Sequence, residues 1–255
     1  MVLMLRLVFH LALRQAEGFA TSVLRLLGQT LRVPDHAALS RHSPSFAGRQ
    51  PKVILHSPMH LLIDSTGLKL FGQGERDADK HGRTRRSWRK LHIAVNAGTG
   101  EIVACVLTDN AANDASQVPA LLDAIKSKIA SMTADGAYDG EPVYQAIATP
   151  PARSTAGCVT PPPASAVPSK EDAKAQSQRD HHIRITAEKG RMAWQRATDY
   201  GRRSLAETAV GRYKAIMGPK LRARILPAQR GKAAIVAEVF NRMIRVAKPI
   251  SIRVA

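Results

Sequence analysis

Residues 60–66 read His60-Leu-Leu-Ile-Asp64-Ser-Thr66, an apolar run that ends on an acid. Met132-Thr-Ala-Asp135 repeats the shape farther on. What lies between and around these two stretches decides the fold. Leu68-Lys-Leu-Phe71 alternates and predicts a second strand after the first. A polar loop from Gly72 to Arg86 follows. Trp88 to Val95 alternates again, with Leu91, Ile93 and Val95 on one face. Asn96-Ala-Gly-Thr-Gly100 is a turn signal, and Ile102 to Leu107 is the next apolar run.

The character then changes. Asp114 to Ile129 has helical spacing at Val118, Leu121, Leu122 and Ile125. After the strand ending at Asp135 come a short helix, Glu141 to Ile147, and a short strand, Ala156 to Val159. A Pro/Ser/Ala-rich loop runs to about Ser169. Helical patterning covers 183–217, with breaks at Gly190 and at Tyr200-Gly201, and returns over 233–246. Early hairpin strands followed by β-α units predict an α/β domain: one mixed sheet flanked by helices.

The N-terminal stretch is different. Residues 2–28 have helical spacing, with Gly18 as a break and Gly28 as a stop, and Asp35 is placed to cap a second short helix that Pro44 closes. With Arg25, Arg32 and Arg41 this small helical region has two readings, a helix-turn-helix-like DNA-binding unit or a plain helical appendage. The domain plan is therefore 1–44 helical, 45–58 linker and 59–248 the α/β domain. The chain starts abruptly inside an apolar helix, which predicts a longer N-terminal region upstream. Arg6 and His10 interrupt the opening apolar run, so neither a signal peptide nor a membrane span is expected.

The charge balance names the partner class. Lys and Arg number 38 against 20 Asp and Glu, a net charge of +18. Such an excess points to a polyanion, most simply nucleic acid. Cys105 and Cys158 fit no zinc spacing and no disulfide framework, which suits a reducing cytoplasm. His/Cys metal motifs, a phosphate-binding glycine loop and a dinucleotide fingerprint are all missing from the sequence.

In α/β sheets, sites form at the carboxyl ends of strands. Asp64 and Asp135 end two such strands. Glu207 lies in Tyr200-Gly-Arg-Arg203-Ser-Leu-Ala-Glu207, a segment continuing to Lys214. On one helix Tyr200, Arg203, Glu207 and Lys214 fall at roughly 0°, 300°, 340° and 320°, a polar stripe opposite Leu205, Ala209, Tyr213 and Ile216. Glu207 has two readings, a salt-bridge partner of Arg203 or a third acid at the site. Three acids converging in a basic protein call for a divalent cation. Two Mg²⁺ ions, with Mn²⁺ able to substitute, would clamp the attacking and leaving oxygens of a phosphodiester.

Three local motifs carry a resemblance. Tyr200, Arg203, Glu207 and Lys214 have the spacing Tyr-x2-Arg-x3-Glu-x6-Lys; Thr133-Ala-Asp135-Gly-Ala-Tyr138-Asp139-Gly140 and Ile63-Asp64-Ser65-Thr66 supply two more acid contexts in the same order. Over roughly 60–245 the chain resembles bacterial insertion-sequence transposases of the DDE class. The resemblance implies an RNase H-like catalytic domain with Asp64, Asp135 and Glu207 as metal-binding catalytic acids. It also implies cleavage at transposon ends and strand transfer into target DNA, and a homodimer when active. The expected partner is double-stranded DNA, both terminal inverted repeats and target, met in the cytoplasm at the nucleoid. The rival readings are an RNase H-like metal nuclease without joining activity and a catalytically dead, truncated DNA-binding copy.

Other residues follow. Arg203 and Lys214 are candidates to grip phosphate. Tyr200 either hydrogen-bonds a phosphate or packs. Asp139 competes with Asp135 as second acid or caps the helix near Glu141. Arg83, Arg85, Arg86 and Arg89, in a run of cations leading into a strand, are read as DNA-backbone contacts over the alternative of a solvated face. Trp194 is either core or a base-stacking residue on a distorted DNA end.

Overall fold

The structure is a computed structural model that describes residues 1–53, 58–71, 88–149, 156–169, 177–218 and 220–247. Two compact units divide the chain. One contains the described residues of Lys52–Thr66 and Lys90–Val210. The other contains those of Met1–Pro51, Gly67–Arg89 and Gly211–Ala255.

The sheet has five strands, β1 Met59–Lys69, β2 Trp88–Asn96, β3 Ile102–Asp109, β4 Ile129–Thr133 and β5 Gly157–Val159, in the order β3-β2-β1-β4-β5. β1 runs antiparallel to β2. The Ala97 N–H donates to the His60 carbonyl near the start of β1 (2.9 Å), and Gly67 near its other end lies against Trp88 at the start of β2. The turn over residues 97–101 is too short for a crossover, so β2 and β3 are also antiparallel. β4 runs parallel to β1, with Leu62 opposite Thr133, and β5 runs parallel to β4. The expected mixed α/β sheet flanked by helices is thus present.

The core of this unit sits on the sheet. Leu61, Ile63, Ala104 and Met132 pack with Val118, Leu121 and Leu122 of α4 (Val118–Asp123) and with Val143, Tyr144 and Ile147 of α5 (Glu141–Ala148). Three segments depart from the sequence pattern. Leu68–Leu70 is not a separate strand. β1 passes through Gly67 without turning, and the Trp88 ring lies over the place of the missing side chain, 3.0 Å from where a Cβ would be. Leu70 then makes an isolated bridge to Leu221. The helix expected over 114–129 shrinks to α4 behind a single 3-10 turn, Ala115–Gln117, and Ile129 instead opens β4. Asp139 does not cap α5; Gly140 occupies that position.

α6 (Gln178–Ala197) is bent at Gly190, whose φ of 79° and ψ of 163° leave the helical region. Asp199, left-handed at φ 52°, introduces a 3-10 turn over Tyr200–Arg203, and only at Ser204 does α7 (Ser204–Met217) begin. Tyr200 and Arg203 therefore precede the α-helix that carries Glu207 and Lys214, and the single straight stripe of the sequence reading is broken. The buried face of α7 is Ala206, Ala209, Tyr213 and Met217; Leu205 is exposed.

The other unit holds α1 (Val2–Val8), α2 (Leu13–Leu26), α3 (His36–His42) and α8 (Leu226–Val246). The break falls at His10, left-handed at φ 52°, and Gly18 lies inside α2. Asp35 caps α3 by accepting the Ala38 N–H at 2.7 Å. Val2, Ala16, Ala20 and Leu39 form a small core. α8 begins at Leu226, earlier than its apolar spacing suggests, because Pro227 suits a first helical turn. Gly231 lets α8 approach the 3-10 turn Ser43–Phe46 so closely that a Cβ there would fall 2.1 Å from the Ser43 carbonyl oxygen. Among the described residues no helix is long and apolar enough to cross a membrane.

Candidate active site

β4 stops at Thr133, but β1 continues, so the chain beyond Leu62 outruns its parallel neighbour. Asp64 is therefore not at a strand end. It sits inside β1, buried, at the level where β4 has ended. Its Oδ1 accepts the Ser65 N–H at 2.9 Å. Past β4, Ala134 still donates to Val159 of β5 (3.0 Å), and Asp135 turns the chain by accepting the Ala137 N–H at 2.9 Å at the head of the 3-10 turn Gly136–Tyr138. Glu207 enters from the first turn of α7.

Arg203 gathers these three acids. Its Nη1 donates to Glu207 Oε1 at 2.5 Å. Its Nη2 lies 3.4 Å from Asp135 Oδ2 and 3.6 Å from Asp64 Oδ1. Three carboxylates face one guanidinium, so negative charge remains in excess at close range. Burial pushes the Asp64 carboxyl above its usual range; the Ser65 N–H and Arg203 oppose this, while Asp135 and Glu207 add to it. Arg203 Nε is buried without a hydrogen-bond partner.

Asp139, the rival second acid, is engaged elsewhere. Arg179 grips it with Nη2 at 2.8 Å and Nε at 3.1 Å, and its side chain is only 1% exposed. Tyr138, part of the same motif but given no role from sequence, is buried beside the acids. Burial pushes its hydroxyl well above the usual phenol range, with Asp114, Asp64 and Asp135 adding and Ser65 opposing. That hydroxyl has no partner in hydrogen-bond geometry. The signal that could have found Tyr138 was the motif Asp135-Gly-Ala-Tyr138 itself.

Trp194 is fully buried, its ring 5.7 Å from His182 and 5.2 Å from Tyr200. A base-stacking role would require it to leave this core. Tyr200 is half-buried against it, and burial raises its hydroxyl pKa. Lys214, in the last turn of α7, belongs to the other unit and lines a cationic cleft there. Arg89 donates to Gln229 Oε1 at 2.9 Å within that same unit. Arg83, Arg85 and Arg86 lie outside the described residues.

Residues 55–241 match a family described as Transposase DDE domain, and residues 1–73 match a second family of the same description. The chain belongs to the Transposase DDE domain family. A solved structure similar to this DDE domain is the cryo-EM structure of the piggyBac transposase synaptic complex with hairpin DNA, at 11% identity and a TM-score of 0.40, covering 75% of this chain. The chain spans 49% of that protein's length.

The donor chemistry of the DDE cluster suits a hard divalent cation, since all three acids offer oxygen ligands. The geometry is that of a cluster closed on Arg203. Among the described residues no group of three acid, histidine or cysteine side chains is placed to hold a metal ion.

Proposed function

We propose that this DDE domain is a DNA transposase that cleaves transposon ends and transfers the freed strand into target DNA. One observation carries the reading: in a chain of the DDE family, a single guanidinium holds Asp64, Asp135 and Glu207 together where β4 ends. Water opens a phosphodiester at the element's end, and the released 3′-hydroxyl then displaces a target-strand oxygen at phosphorus. Asp64, Asp135 and Glu207 are the groups that would hold Mg²⁺ or Mn²⁺, here two ions. Such ions supply activation of the attacking oxygen and neutralisation of charge on the phosphate. Arg203 supplies part of that neutralisation from the protein, and its planar fork can shift from carboxylate to phosphate oxygens. Asp64, set in a strand, fixes the reference position against which the other two acids are aligned. Two element ends have to be joined, so the active form in this reading is a homodimer. Its place of action is chromosomal DNA in the cytoplasm.

The test is strand cleavage and transfer on labelled terminal-repeat DNA with Mg²⁺ or Mn²⁺. Cleaved and joined products are expected from the wild type and neither from Asp64→Ala. Cleavage without joined product would replace the transposase reading with that of a metal nuclease. Duplex binding with no metal-dependent cleavage would leave a DNA-binding copy. Normal activity in Asp64→Ala would sink the site assignment.

A further inference from the structure

Beside the three acids lies a polar group that the transfer chemistry does not use. It joins Lys90 and His92 of β2 to Asp114, which precedes the 3-10 turn before α4. Asp114 Oδ1 lies 3.3 Å from Lys90 Nζ and 3.5 Å from His92 Nδ1. Lys90 Nζ also donates to the Ala112 carbonyl at 3.0 Å. His92 is fully buried, and its Nε2 lies 3.0 Å from Thr108 Oγ1. The Asp114 carboxylate is thus held in place by two side chains of one strand.

Tyr138 links this group to the acids. It closes the 3-10 turn that Asp135 opens, so its ring and the second acid belong to one short rigid segment. The ring packs in the same core as Leu61 and Ile63 of β1. Alternation along a strand puts Ser65 next on that face, and the Ser65 N–H holds Asp64 Oδ1. Burial first, then Asp114, Asp64 and Asp135, push the Tyr138 phenol up, and the Ser65 side chain opposes them. The hydroxyl therefore stands within reach of all four residues. Yet in a residue only 1% exposed it has no partner in hydrogen-bond geometry. Tyr144, the buried tyrosine of α5, differs: its hydroxyl lies 2.8 Å from Thr160 Oγ1 and 3.2 Å from His182 Nδ1. A buried hydroxyl without a partner costs stability that a phenyl ring in the same place would not. The oxygen of Tyr138 thus suits an arrangement of the acids other than the one closed on Arg203.

We propose that Tyr138 is a positioning residue: when the acids part from Arg203, its hydroxyl donates to Ser65 Oγ and ties the Asp135 turn to the strand that carries Asp64. The proposal rests on the transposase reading above, in which the Arg203 fork moves from carboxylate to phosphate oxygens. At that moment the guanidinium no longer sets the separation of Asp64 and Asp135, and the tie does. Asp114, fixed by Lys90 and His92, keeps the phenol protonated and so keeps it a donor.

The first test is a melting cycle on the full chain in chelator-containing buffer, without DNA. In the wild-type background Tyr138→Phe should leave the melting temperature unchanged or raise it, whereas Tyr144→Phe, which breaks formed bonds, should lower it. In Arg203→Ala the acids repel one another with no cation between them. There Tyr138→Phe should lower the melting temperature by about 2–4 °C, the effect of one net hydrogen bond in a chain of this size. Ser65→Ala should do the same in that background, and the two together no more than either. Arg203→Gln supplies a second opened background should Arg203→Ala not fold. Equal shifts from Tyr138→Phe in the closed and opened backgrounds overturn the proposal. So does a fall in the wild-type background that matches that of Tyr144→Phe. The second test is cleavage of terminal-repeat duplex. Tyr138→Phe should lower kcat by about tenfold to a hundredfold and leave KM for the duplex unchanged, as misplaced acids would. An unchanged kcat also overturns the proposal. A wild type that cuts no terminal repeat rejects the enzyme reading, and the melting cycle, which needs no reaction, still decides the tie.

Discussion

Arg203 and Glu207 meet across the junction of a 3-10 turn and an α-helix, with Nη1 donating to Oε1 at 2.5 Å, and the same guanidinium reaches Asp135 and Asp64. An exposed i,i+4 pair alone would be worth a few tenths of a kcal/mol. Here the Arg203 side chain is 19% exposed and serves three acids, so its removal exposes them to one another. Arg203→Ala is expected to cost about 1.5–3 kcal/mol in chelator-containing buffer, the range for hydrogen bonds to charged groups. Calorimetry with added Mg²⁺ or Mn²⁺ should recover more stability in the variant than in the wild type. Arg203→Lys, which lacks the planar fork, should behave nearer to alanine than to arginine. Equal metal responses in variant and wild type would refute this account of the cluster.

Asp139→Ala separates scaffold from chemistry. The Arg179 fork, itself partly exposed, loses its carboxylate partner, which costs about 1.5–3 kcal/mol. At roughly 2–4 °C per kcal/mol for a chain of this size, thermal melting should drop by about 3–12 °C. Below that melting point the variant should still cleave terminal-repeat DNA, whereas Asp135→Ala should not. A stable but inactive Asp139→Ala would reverse the roles of the two acids.

Gly231→Ala tests the close approach of α8 to the turn Ser43–Phe46. The new methyl would collide with backbone, the Ser43 carbonyl, rather than with a side chain able to swing away. Overpacking of this kind costs about 1–3 kcal/mol, and denaturant titration should show it as a lower midpoint. An unchanged midpoint would mean that the two segments separate at no cost.

Lys232, which lines the same cleft as Lys214, gives it a pH dependence. Burial, with Arg6 and Arg222 adding, brings its pKa down to about 8 in the folded chain, against the ordinary lysine value of 10.5 when unfolded. Between these values the unfolded state binds the extra proton, so the Lys232 contribution makes stability rise with pH over that window. Melting temperature should climb from pH 8 toward pH 10 more steeply in the wild type than in Lys232→Met. Parallel melting profiles in the two proteins would contradict this.

Much of this was legible in the sequence, and for local reasons. Alternation marked β2 and β3, and the apolar approaches to Asp64 and Asp135 marked the strands that carry or precede them. The spacing of Arg203 and Glu207 predicted their pair. What could not be read depends on register. Whether β1 stops at Asp64 or runs on depends on its pairing with another strand, where Trp88 packs against Gly67. The reach of Arg203 to Asp64 and Asp135 depends on where β4 ends beside β1. Trp194 was ambiguous because its spacing is the same whether it faces His182 in the core or solvent. The cationic cleft was hidden because its side chains come from five stretches, each unremarkable by itself.

Asp64 sits within a continuous strand, while Asp135 follows the end of one and Glu207 lies near the start of a helix. Small rotations at a strand end or a helix start move a side chain without disturbing a ladder; inside β1 they would shear it. The three acids thus form a vice with one fixed jaw. Under the proposed transposase reading, any change in the spacing of the cluster as substrate arrives or product leaves would be taken up by the Asp135 turn and by the 3-10 turn Tyr200–Arg203, and slow steps should be sought there.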